Sequence, residues 1–68
     1  MGIEAQLKKV GVQILAAQWR MEGLTLLHKS ALLLGDTATA TKVEEEMSSM
    51  QQVQHDLTKI QLDLLLKL

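Results

Sequence analysis

An unbroken alternation of steps of four and three runs along the first half of this chain, and it constrains the fold more than any other feature. Ile3, Leu7, Val10, Ile14, Ala17, Met21, Leu24, His28 and Ala31 follow one another in those steps without a miss, and all but His28 are apolar. Such steps keep side chains on one face of an α-helix, and a repeat sustained this long is the spacing of a coiled-coil seam. The pattern predicts one long helix over about residues 2–34 that lies against another helix. No Pro interrupts it, as a long helix requires. Gly11 and Gly23 lie inside it and cost about 1 kcal/mol each relative to Ala. The seam keeps its phase across both, so a continuous helix is expected.

A second apolar row supplies the partner. Ala40, Val43, Met47, Met50, Val53, Leu57, Ile60, Leu64 and Leu68 read as one face of a helix over about residues 38–68. Between the rows stands Gly35-Asp36. A Gly after an apolar run provides the left-handed residue that closes a helix, and Asp36 or Thr37 can cap the next one. Thr41-Lys-Val-Glu44 has the capping-box pattern, so a later start at Thr41 is the other possibility. With the turn at 35–37, facing residues add to 71: Ile3 with Leu68, Leu7 with Leu64, Ile14 with Leu57, Met21 with Met50, Leu24 with Met47, His28 with Val43, Ala31 with Ala40. Val10 with Ile60 and Ala17 with Val53 add to 70, a slip of one residue. Two seams that mirror about a Gly turn predict an all-α fold, an antiparallel two-helix hairpin.

The hairpin uses only one face of the first helix. Val12, Leu15, Trp19, Leu26 and Leu33, with Ala5, lie on its far side, and Ala16, Gly23 and Ser30 run beside them at seven-residue spacing. Small residues next to a Trp leave a groove that another helix can approach closely. An apolar strip of this extent marks an interface, so Val12, Leu15, Trp19, Gly23, Leu26 and Leu33 are the candidate partner-contact residues. Size points the same way. Below about 70–80 residues a single core needs a staple, and a chain of 68 residues with no Cys has no disulfide to supply one. Oligomerisation into a helical bundle, or docking on a larger protein, is the expected remedy. The leucine-rich end, Leu62, Leu64, Leu65, Leu66 and Leu68, is apolar around more of its circumference than one seam needs and is expected to join that interface.

Little in the sequence suggests chemistry. No Ser-His-Asp set, Gly-rich phosphate loop or zinc-ligand spacing is present. His28 sits in the seam, where a backbone partner is expected. Glu44 lies nearby, but the Glu-x-x-His spacing of di-iron bundles is absent. No catalytic residue, cofactor or metal is therefore expected. Met21, Met47 and Met50 read as core filler.

The net charge is −1, divided as +2 over residues 1–34 and −3 over residues 35–68, a weak bias toward pairing of the halves. Lys8, Lys9, Arg20 and Lys29 form no single stripe and lack interleaved aromatic residues for base stacking. In length and hairpin architecture the chain resembles the plasmid RNA-binding regulator Rop, with no residues in common to carry more than the fold. No signal peptide or membrane-spanning stretch is legible, and Gln6 stands where a myristoylation signal has Ser or Thr. A soluble protein, cytoplasmic or part of a macromolecular assembly, is expected. The function expected is that of a non-catalytic helical assembly or adaptor subunit, with self or a larger protein as partner. The alternatives are a small regulator that binds RNA or inhibits another protein and, less favoured, a membrane-active amphipathic peptide, since the polar face is poor in Lys and Arg.

Overall fold

In the computed structural model, which describes residues 2–68, two helices pack antiparallel: α1, Ile3–Leu33, and α2, Thr37–Leu66. The hairpin measures 50 × 14 × 14 Å, one helix length by roughly the width of two half-interlocked helices. α1 passes through Gly11 and Gly23 without a break. α2 starts at Thr37, one residue ahead of the expected position, and does not wait for Thr41.

The turn explains that start. Gly35 has φ +71°, the left-handed conformation that glycine adopts without a Cβ penalty. Its amide donates to the Leu32 carbonyl at 3.1 Å, and the Asp36 amide to the Ala31 carbonyl at 2.8 Å. These two bonds are the Schellman closure of α1. They leave Asp36 one residue ahead of α2, where Oδ1 accepts from the Thr39 amide at 3.1 Å and Oδ2 from the Thr39 hydroxyl at 2.6 Å. The cap is thus made before the chain reaches Thr41, whose hydroxyl instead donates to the Thr37 carbonyl inside the helix.

Burial follows the four-three spacing on α1: every one of the nine seam residues is buried or half-buried. The spacing on α2 differs from the apolar pattern at three positions. Leu68, expected on the seam opposite Ile3, lies beyond the end of α2 and is 73% exposed because the helix closes at Leu66. The other two fall within the helix. Gln54 and Gln61 are half-buried, whereas Val53 and Ile60 are 43% and 47% exposed. The row facing α1 is therefore Ala40, Val43, Met47, Met50, Gln54, Leu57, Gln61 and Leu64, again in strict steps of three and four. With Gln54 opposite Ala17 and Gln61 opposite Val10, the facing numbers add to 71 throughout. A helix advances about 100° per residue and cannot slip by one position and return within a turn. Its phase, set by Val43, Met47 and Met50 on one side and Leu57 and Leu64 on the other, outweighs the greater hydropathy of Val53 and Ile60. A half-buried glutamine suits such a position, since its two methylenes can cover apolar surface while its amide reaches water.

The core is thin. Val10, Ala17, Leu24, Ala31, Ala40, Val43 and Leu64 make it up, and Leu24, at 2% exposure, is the most buried. Three of the seven are alanines. That brings the helices close and leaves little apolar side chain between them.

Candidate functional site

The outer face of α1 is where the structure leaves its largest apolar side chains. Val12, Trp19, Leu26 and Leu33 recur every seven residues, nearly opposite the seam, and are 67%, 63%, 67% and 87% exposed. Leu15, a turn aside, is 44% exposed. Ala16, Gly23 and Ser30 fill the positions between, also exposed, so large and small side chains alternate in steps of four and three. The structure thus brings all six sequence-selected residues onto one side of α1, and α2 covers none of them. A Cβ built on Gly23 would meet nothing within 4 Å. The fold of the hairpin gives no reason for a glycine there.

The apolar surface extends further than the six. Leu32 and Leu34, at the turn, are 57% and 84% exposed, and Leu27 is 48% exposed. Sequence reasoning passed over Leu27, Leu32 and Leu34 because they fall outside both the seam and the seven-residue row. One signal was available: three consecutive residues of a helix cannot all reach one seam. At the open end Leu62, Leu65 and Leu66 are 54%, 47% and 85% exposed.

Polar groups pair across the hairpin at its edges. Arg20 Nη2 donates to Glu46 Oε2 at 2.8 Å, and both side chains are well exposed. His28 Nε2 lies 2.9 Å from Glu44 Oε1. The expected backbone partner of His28 is thus replaced by a carboxylate on α2, because its position at the seam edge points the ring at the first turns of the other helix. Lys59 with Asp63 and Asp63 with Lys67 do not close as ion pairs along α2; Asp56 instead accepts from Gln52 Nε2 at 3.0 Å. Asp36 has its carboxyl held below the usual aspartate range, first by the Thr39 hydroxyl and then by the Thr39 amide.

Among the described residues no three His, Asp or Glu side chains gather to hold a metal ion. A shallow, open depression lined by Arg20, Lys42, Glu45, Glu46, Ser49 and Met50 lies beside the Arg20–Glu46 pair. Among the described residues no helix is long and apolar enough to cross a membrane. Comparison of the chain with protein-family models, curated proteins and solved structures returns no match. What the chain displays is a surface: one apolar face, regular in spacing, on the helix that forms the hairpin's backbone.

Proposed function

We propose that this protein is a non-catalytic helical assembly or adaptor subunit, which works through helix–helix contacts in an oligomer or a larger complex. One observation carries the reading. Val12, Leu15, Trp19, Leu26 and Leu33 form a row on the side of α1 turned away from α2, at 44–87% exposure. A monomer gains nothing from holding such a row in water, and its regular spacing is that of a surface cut to fit a helix. The thin core supports the same conclusion, since contact on the outer face supplies burial that the hairpin lacks. Trp19, midway along the row, is the anchor, in keeping with the weight that Trp carries at interfaces. A small regulator that binds RNA or inhibits another protein is the alternative, and its RNA-binding form predicts binding that weakens steeply with salt.

The test is a pair of charge insertions. Trp19→Asp places a carboxylate in the proposed contact, and Gln52→Asp places one on the exposed back of α2. Trp19→Asp is expected to lower the native mass or abolish partner binding while the helical circular dichroism signal persists. Gln52→Asp is expected to leave both unchanged. Equal behaviour of the two variants would overturn the role given to this face.

A further inference from the structure

We infer that the outer face of α1 is covered by α1 of a second copy of this chain, running antiparallel, so that the two first helices lie at the centre and the two second helices outside. This rests on the assembly reading above and adds the identity of the partner.

The face is complementary to itself. Residues whose numbers add to 35 come opposite one another when α1 is laid antiparallel on its copy with the helices almost fully overlapped. Three of the large side chains then face a small or flexible one: Trp19 meets Ala16 of the second copy, Val12 meets Gly23, and Leu26 meets the stem of Lys9. Gly23 gains a reason that the hairpin does not provide, because Val12 of the second copy sits over its bare Cα. (Gly11, which also faces open space, lies on the flank of α1, and nothing in the structure explains it.)

Charge selects this register among its neighbours. Within the hairpin, the flanking pair Arg20–Glu46 has numbers that add to five less than those of the seam residues. The same relation between two copies of α1 sets Lys8 against Glu22 of the second copy, twice by symmetry, and Leu15 against Leu15 on the two-fold axis. A shift of seven residues one way sets Lys8 against Lys29. A shift the other way sets Trp19 against Lys9 and shortens the overlap. The area also suits a dimer. The five large side chains expose on the order of 600 Å² per chain, at the upper end for the largest apolar patch of a monomer. Two such faces bury about 1,200 Å² together, the lower bound of a specific interface.

The experiment uses single-cysteine variants of the full chain, which has no native Cys. Leu15→Cys and Leu26→Cys are treated separately with a short bismaleimide, and their masses are read under denaturing conditions. Leu15→Cys is expected to link into dimers, because residue 15 meets its own copy. Leu26→Cys is expected to stay single, because its copies lie several helical turns apart. Glu22→Lys should weaken the dimer severalfold, and Lys8→Glu in the same chain should restore it. Linking through Leu26→Cys would overturn the antiparallel pairing, although an assembly that needs Trp19 would still stand. A chain that sediments as a monomer at every concentration would overturn the second copy as the occupant. If Trp19→Asp then also left capture of other proteins unchanged, the assembly reading would fall as well.

Discussion

Replacement of Gln54 by Leu is expected to stabilise the protein, and replacement of Val53 by Gln to change it little. Hydropathy alone predicts the reverse. The structure puts Gln54 half-buried on the seam opposite Ala17, and Val53 43% exposed on the flank. A fully buried Leu contributes about 1.5–3 kcal/mol. A half-covered seam position recovers roughly half of that, less what the glutamine methylenes already contribute, so Gln54→Leu is worth about 1 kcal/mol. Gln61→Leu, one heptad on, adds a similar amount. For a chain of this size each kcal/mol moves Tm by about 4–8 °C, so the double variant should melt about 10 °C higher. Val53→Gln keeps the inner methylene contact and loses about 0.5 kcal/mol at most. The assay is urea and thermal unfolding followed by far-ultraviolet circular dichroism at one fixed protein concentration. Both positions lie on α2, away from the outer face of α1, so any contribution from assembly cancels in the comparison. A neutral or destabilising Gln54→Leu, together with a loss of 1 kcal/mol or more in Val53→Gln, would refute the register.

Three further outcomes are expected. Cysteine pairs at Leu7/Leu64 and at Leu24/Met47 should each form an intrachain disulfide under mild oxidation, read as a shift in non-reducing electrophoresis without a dimer band; bands between chains alone would contradict the closed hairpin. Leu24→Ala, at the most buried position, should cost about 2–3 kcal/mol, the lower part of the range for buried leucines because a two-helix core can collapse around the gap, and urea titration measures it. Asp36→Asn should melt below the wild type at neutral pH. Because the folded Asp36 carboxyl titrates below its unfolded value, its contribution is fully present above the unfolded pKa and disappears as pH falls through the folded one. The gap in Tm between the two proteins should therefore close on acidification, and a gap constant from pH 7 to pH 2 would exclude this role.

The hairpin was legible because α1 carries its seam almost entirely in aliphatic side chains, so hydropathy and helical phase coincide there. They part on α2. Val53 and Ile60 outrank Gln54 and Gln61 in hydropathy, and a reading by residue type selects them. The constant sum of 71, strict along seven facing pairs, already held the answer, because a rigid helix has no way to absorb a slip at two positions only. The choice between Asp36 and Thr41 as the start of α2 was not open to pattern alone, since both present capping residues at suitable spacing. The bonds that Gly35 and Asp36 make to the last turn of α1 decide it. The register placed Glu44 near His28, but a residue on the seam reads as buried with a backbone partner, and only the structure shows the ring edge meeting that carboxylate. The outer row of α1 was visible for the same reason as its seam: it too is periodic. The leucines at the turn were not, because they surround the helix end and follow no repeat.

The central claim is that the outer face of α1 is a contact surface covered by a second copy, and Trp19 reports on it directly as the only Trp in the chain. In the isolated hairpin this side chain is 63% exposed. Sedimentation equilibrium and Trp emission measured on the same samples across a dilution series test the claim in one experiment. The expected result is a dimer mass with blue-shifted emission at high concentration, both passing together to a monomer mass with red-shifted emission on dilution. A monomer mass and water-exposed emission at every concentration would contradict it.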